Sequence, residues 1–215
     1  MEQSTFSAAL FDLDGVVFDT EPQYTRFWGS QCRLYHPDRP GLEREIKGQT
    51  LVQIFDRLFS GPLEAERTVV TRRLDSFEQN MAFDYVDGFL PYITTLRRRG
   101  VRTALVTSSN LDKMAKVYER RPEIVPLFDV ILTSEDFARS KPDPDCYLRA
   151  AARLGVPPEQ CVVFEDSFNG LRSGRAAGMR VVGLSTTNAA ADIAPLADIV
   201  IGDYTQLPDG CLPLG

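Results

Sequence analysis

Histidine is nearly missing from this chain: 215 residues hold only one, His36. It sits in the polar stretch Tyr35-His36-Pro37-Asp38, where a surface-loop residue is expected and a catalyst is not. Cysteine is sparse as well. Cys32, Cys146, Cys161 and Cys211 show no CxxC spacing and have no partnering His, which argues against a zinc site. Read as reduced thiols, they suit a cytoplasmic protein. No stretch is long or apolar enough to span a membrane, so no membrane partner is expected. The polar start, Met1 to Thr5, precedes a short apolar run stopped at Asp12, which does not read as a signal peptide. Basic charge is in deficit, with 24 Lys and Arg against 30 Asp and Glu for a net charge of −6. That balance disfavours nucleic acid as a partner, and no basic stripe is evident. Arg97-Arg98-Arg99 and Arg120-Arg121 lie near predicted helix ends, where solvated arginines meeting the negative end of the dipole are expected. Internal repeats and low-complexity tracts are absent too. The remainder is ordinary globular composition, and the length suits one domain with a substantial insertion or two small ones.

Two patterns share the chain. Residues 6 to about 18, and about 85 to the end, alternate apolar runs with amphipathic segments closed by Gly. Phe89, Leu90, Ile93 and Leu96 lie on one helical face before Gly100. Asp145 to Leu154 ends at Gly155, and Ser167 to Ala177 ends at Gly178. Apolar runs follow at Val101 to Val106, Cys161 to Phe164 and Val181 to Leu184, with one more at Ile199 to Ile201. Such strand–helix units predict an α/β fold: a Rossmann-like, doubly wound parallel sheet with helices on both faces. Residues 20–84 carry helical periodicity alone. Glu21-Pro22 opens one helix. Leu51, Ile54, Phe55, Leu58 and Phe59 mark a second, and Leu63, Val70, Leu74, Phe77 and Met81 suggest a longer third. The expected division is a core of residues 1–19 and 85–215 with an all-helical insertion of residues 20–84.

The most informative segment is Phe11-Asp12-Leu13-Asp14-Gly15-Val16-Val17. Its acids follow the apolar run Ala8 to Phe11, so they end a buried strand. Side chains two apart on extended chain point the same way, which lets Asp12 and Asp14 share a pocket. Clustered acids repel, and such a site holds a cation, shares a proton, or does both. Alone, this pair is most simply a polar turn. Later strand ends add Thr107-Ser108-Ser109-Asn110, a loop bearing Lys141 before Pro142-Asp143-Pro144, and Glu165-Asp166-Ser167. In an open parallel sheet the carboxyl ends of the strands line one crevice. Acids, hydroxyls and a lysine meeting there suit phosphoryl transfer, with Mg²⁺ held by the acids. Each has a plainer reading alone: Thr107 as a helix cap, Lys141 as a solvated loop lysine, Glu165-Asp166 as capping acids.

These residues, in this order, resemble the motifs of the haloacid dehalogenase superfamily, in particular its branch of β-phosphoglucomutase-like proteins and small-molecule phosphatases. The resemblance covers nearly the whole chain. It implies that Asp12 is the nucleophile that forms an aspartyl-phosphate. It makes Asp14 the acid that protonates the leaving oxygen and then the base that activates water. A carboxylate approaching a phosphate dianion meets like charge, and two unit charges at 4 Å interact by about 4 kcal/mol at an effective dielectric near 20. Lys141 and Mg²⁺ would offset it. The implied metal set is Asp12, the backbone carbonyl of Asp14, Asp166 and, nearby or through water, Glu165. Thr107, Ser108, Ser109 and Asn110 would hold the transferred phosphoryl group. The helical insertion resembles the family's cap, hinged near Phe18 to Thr20 and Phe83 to Asp87. Closure would exclude water.

Within the cap, Lys47, Gly48 and Gln49 are candidates for contacting the leaving group, set against a plain helix end closed by Gly48. Asp14 favours phosphate esters over haloacids, because halide leaves without a proton. The chain departs from the mutase pattern in two places. Tyr24 stands where the mutase has a His, and Leu51 where it has an Arg that binds a second phosphate. Water is therefore the expected acceptor and hydrolysis the expected reaction, with a phosphosugar mutase as the alternative. A receiver domain of a signalling protein uses similar groups but in the reverse order and without a helical insertion. A degenerate member that only binds a phosphorylated metabolite or a protein is the third reading. The expected partner is a small phosphorylated metabolite, and a monomer is expected because the site needs no second chain.

Overall fold

The structure, a computed structural model, describes residues 6–207. Met1 to Thr5 and Cys211 lie outside the described residues. Six strands, β1 (Ala8–Phe11), β2 (Arg102–Val106), β3 (Val130–Leu132), β4 (Cys161–Glu165), β5 (Arg180–Leu184) and β6 (Ile199–Ile201), form one sheet in the order β3-β2-β1-β4-β5-β6. Every pairing is parallel. The order reverses beside β1, between β2 and β4, which is where a crevice opens at the strands' carboxyl ends. As expected of strands covered on both sides, Ala8 to Phe11 are wholly buried.

Among the described residues nine α-helices accompany the sheet: α1 (Glu21–Tyr35), α2 (Leu42–Glu45), α3 (Leu51–Leu58), α4 (Arg67–Gln79), α5 (Phe89–Arg98), α6 (Leu111–Arg120), α7 (Asp145–Leu154), α8 (Phe168–Ala176) and α9 (Ala190–Ile193). Alternation along β1 divides the core. Ala9 and Phe11 face Phe89, Ile93, Leu96, Met114 and Val117 of α5 and α6. Ala8 and Leu10 belong with Tyr147, Ala150 and Leu171 of α7 and α8. Phe11 stacks on Phe164 of the neighbouring strand with ring centroids 4.7 Å apart.

Between β1 and α5 the chain is helical. α1 to α4 pack around a separate core that includes Phe27, Trp28, Ile54, Leu58, Phe59 and Val70. The predicted long third helix is two elements, a 3₁₀ turn at Gly61–Glu66 and then α4, with Met81 beyond its end. Pro62 lacks an amide donor, which suits a tight turn, and Arg67 Nε donates to the Phe59 carbonyl at 2.6 Å, folding the junction back. The two connections run side by side: the Asp19 amide donates to the Asp84 carbonyl at 2.8 Å and the Val86 amide to the Val17 carbonyl at 3.0 Å.

Two surface expectations need correction. His36 is half-buried at the end of α1, its Nε2 2.8 Å from the Leu58 carbonyl, so it pins helices together. Arg120 and Arg121 are more than solvated helix ends. Arg120 donates to the Met81 carbonyl, and Arg121 Nε donates to the Phe83 carbonyl at 2.8 Å. Both fasten the returning connection to α6. Among the described residues no helix is long and apolar enough to cross a membrane.

Candidate active site

The β1 strand ends in a tight loop. The Gly15 amide donates to the Phe18 carbonyl at 2.7 Å, and Gly15 sits at φ 75°. A Cβ there would lie 2.2 Å from Asp166 Oδ2, so only glycine lets the first acidic loop approach the second. Asp12 continues the strand, its amide bonded to the Phe164 carbonyl at 3.1 Å.

Lys141 Nζ donates to Asp12 Oδ1 at 2.6 Å, to Glu165 Oε1 at 2.6 Å and to the Val106 carbonyl at 3.1 Å. It is 1% exposed, so the plain reading of a solvated lysine fails. Burial alone would lower its pKa, but Asp12 and then Glu165 overcome that and hold it well above its ordinary value. Burial pushes Asp12 up to about 7 against the pull of Lys141, with Glu165 and Asp14 adding to the rise. Asp166 is likewise raised well above its ordinary value by burial and by Glu21, Glu165 and Asp12. One lysine leaves this pocket short of positive charge.

Asp12, Glu165 and Asp166 each offer an oxygen within 4.8 Å of the others. This close set of hard donors, with its surplus of buried negative charge, fits a small divalent cation such as Mg²⁺. Glu165 differs from the other two because both its oxygens are engaged. Oε1 accepts from Lys141 and, at 2.7 Å, from the Tyr147 hydroxyl; Oε2 accepts from the Asp166 and Ser167 amides and the Ser167 hydroxyl. Gly170 leaves room for this carboxylate, since a Cβ would come within 1.8 Å of it. The capping acid expected before α8 is replaced by Ser167, whose side chain accepts from the Gly170 amide.

Asp14 lies beside Asp12 at the cavity wall. Its Oδ1 accepts from the Thr20 hydroxyl, and its Oδ2 from Ser109 Oγ at 3.3 Å and from Lys113 Nζ. After β2, the buried Thr107 accepts from the Ser109 amide at 3.0 Å, while the Ser108 hydroxyl is buried without a partner among the described residues and lines the cavity. Asn110 also lines it, but its Oδ1 caps α6 by accepting from the Lys113 amide at 2.9 Å.

From the insertion, Lys47, Gly48 and Gln49 border the same cavity. α2 ends before Gly48, which stands in a turn at φ 72°. A Cβ on it would lie 2.4 Å from Ser167 Oγ, so the glycine marks close contact with the core, not merely a helix end. Lys47 Nζ is 3.3 Å from Glu21 Oε2. The cavity measures about 680 Å³. Several residues here were not foreseen: Thr20, Glu21, Lys113, Tyr147 and Thr187, whose hydroxyl donates to Asp166 Oδ2. Only Thr20 had a local signal, lying just before a helix with a short polar side chain.

Paired acids after β1, a buried lysine, and an acid pair after β4, all at the reversal point of a parallel sheet and roofed by helices, define a phosphoryl-transfer enzyme of the Rossmann-like class. The comparisons agree. The family described as haloacid dehalogenase-like hydrolase matches residues 6–178. Hexitol phosphatase A of Escherichia coli is 32% identical over 209 residues, covering 92% of this chain and 91% of that one. A β-phosphoglucomutase of Mycobacterium bovis is 30% identical, with 93% and 90% covered. The crystal structure of CbbY from Rhodobacter sphaeroides in complex with phosphate superimposes with a TM-score of 0.74 at 26% identity, covering 94% and 96%. The chain belongs to the haloacid dehalogenase-like hydrolases.

Proposed function

We propose that the chain is a Mg²⁺-dependent phosphohydrolase that removes phosphate from a small phosphorylated metabolite through an aspartyl-phosphate on Asp12. The observation that carries this reading is Lys141, buried and bonded to both Asp12 and Glu165 at 2.6 Å. An ammonium fixed there neutralises the nucleophile's surroundings as the phosphate dianion arrives. Asp12 Oδ attacks phosphorus and the bond to the leaving oxygen breaks. Asp14, oriented by Thr20, gives that oxygen a proton, then takes one from the water that cleaves the acyl phosphate. Thr107, Ser108, Ser109 and Asn110, with the backbone amides that follow Thr107, receive the phosphoryl oxygens. Asp12, Asp166 and the Asp14 backbone carbonyl would hold the cation. Glu165 borders that set and fixes Lys141 and the Asp166 loop. The bound ion would supply charge neutralisation of the phosphoryl group and its bridging oxygen. Residues 20–84 serve as the cap that closes over the substrate, and residues 1–19 and 85–215 form the core.

Sugar and hexitol phosphates are the substrates suggested by the relatives. A monomer in the cytoplasm suits a site built wholly from one chain with buried free thiols at Cys32, Cys146 and Cys161. The second reading is a phosphosugar mutase, favoured by the mycobacterial relative. Against it, Leu51 and Tyr24 line the cavity, and the Tyr24 hydroxyl is committed to Glu78 at 2.9 Å. The test is phosphate release from a panel of phosphorylated metabolites with Mg²⁺. Turnover that disappears with EDTA and in Asp12→Asn is expected. Isomerisation of β-glucose 1-phosphate with a bisphosphate primer, and no net release, would favour the mutase.

A further inference from the structure

The wall of the cavity beyond the phosphoryl end carries two cations among the described residues, Lys47 and Lys113. Each is already matched. Lys47 Nζ faces Glu21 Oε2 at 3.3 Å and lies 3.5 Å from the Thr187 carbonyl. Lys113, 5% exposed, donates to Asp14 Oδ2 with its ammonium 4.5 Å above the centre of the Tyr24 ring. It occupies the first turn of α6, where the dipole disfavours a cation, so Asp14 and Tyr24 are what hold its charge in place. No arginine lines the cavity among the described residues. Glu43, Asp112 and Glu135 border it as well, and none of the three makes an ion pair among the described residues. Apart from the groups that receive the transferred phosphoryl, the cavity offers an incoming anion no uncommitted positive charge.

We propose that this cavity selects phosphate monoesters of uncharged polyols and sugars and turns away esters whose leaving group bears a second phosphate or a carboxylate. The proposal rests on the phosphohydrolase reading and names its substrate class. A second anion would have to break the Lys47–Glu21 or Lys113–Asp14 pair, stripping a partly buried acid of its partner each time, or face Glu43, Asp112 and Glu135 without a counter-charge. Discrimination built from like charge and unpaired partners is selection against the wrong ligand rather than for the right one. Hydroxyl groups carry no such cost, and the wall's carboxylates and carbonyls accept their hydrogen bonds.

Glucitol 6-phosphate and 6-phosphogluconate test this, because they share a six-carbon chain and differ by one terminal carboxylate; fructose 1,6-bisphosphate adds a second phosphate. With Mg²⁺ and wild-type enzyme, kcat/KM for both anion-bearing leaving groups should fall about tenfold or more below that for glucitol 6-phosphate, with the gap narrowing as salt rises. Glu21→Gln, which frees Lys47, should narrow it by a further several-fold. Calorimetric binding to Asp12→Asn reads the same preference without turnover. Tighter binding of glucitol 6-phosphate there, with no hydrolysis by wild type, would sustain the charge selection while sinking the hydrolase reading. Equal or better turnover and binding of 6-phosphogluconate would overturn the selection and leave the hydrolase standing. Binding of none of the three would overturn both.

Discussion

Thr20 directly precedes α1, where a threonine ordinarily caps the helix, yet it makes no side-chain cap and its hydroxyl turns back to Asp14 Oδ1. The loss of helix capping is the cost of aiming the carboxylate proposed here as acid and base. Thr20→Val should therefore lower kcat about tenfold, within the range that one positioned proton donor contributes, and leave KM and the melting temperature nearly unchanged. Steady-state kinetics beside a thermal melt separates the two; a large drop in melting temperature with intact kcat would count against the orienting role. Of the residues read directly from the sequence, Asp12, Asp14 and Asp166 stand just after strand ends, where an apolar run that stops at an acid fixes both position and direction, whereas Lys141 lies further on in the loop between β3 and α7 and is legible only through the order of the motifs. Lys113 and Tyr147 gave no such signal. Each sits on a helix and reaches the site by side-chain length and helix rotation, which tertiary packing sets. Glu165, expected near the metal or reaching it through water, is tied to Lys141 by a direct 2.6 Å hydrogen bond that its place in sequence does not announce.

At the level of elements, the strands were the most legible part, since buried parallel strands are unbroken apolar runs bounded by Gly and acids. The helical insertion was legible as a type but not in its joints: the 3₁₀ turn at Gly61–Glu66 obeys a backbone break that side-chain periodicity does not register. One acid ties β2 to the start of β3. Asp129 Oδ2 accepts from the Thr103 amide at 2.8 Å and pairs with Arg102 at 3.2 Å, while Arg97 lies 3.7 Å from Oδ1. Burial alone would raise Asp129, but the Thr103 amide and the two guanidinium groups hold it below the ordinary value of 3.8. A folded-state pKa below the unfolded one adds stability above the unfolded value, and that stability is lost as pH falls through the folded one. Asp129→Asn should thus cost about 1 kcal/mol at pH 7, and the difference from wild type should shrink as pH drops below about 4. Urea melts at several pH values check this; a pH-independent difference would point to packing instead.

Over the whole molecule, the insertion is held down on the core by more than the substrate cavity. Lys116 on α6 reaches Glu78 at 3.0 Å and Asp75 at 3.3 Å on α4, and Glu78 also accepts from Tyr24. These contacts suit a closed form that must open to admit substrate. Removing them by Lys116→Ala should weaken closure by about 1 kcal/mol, a modest figure for a partly exposed pair, and raise KM about fivefold with kcat within twofold. Small-angle scattering should show a larger radius of gyration for the free variant. Unchanged KM would mean that Gly48 and Lys47 alone set the closed position.

The side-by-side pairing of Asp19 with Asp84 and of Val17 with Val86 makes the insertion a module plugged in through a single socket. Its first and last residues meet, so the roof can be exchanged, shortened or grafted without drawing the sheet apart or shifting Asp12 and Lys141. On the proposed reading, the part that faces the leaving group can then change in sequence while the part that holds Asp12 and Lys141 stays fixed.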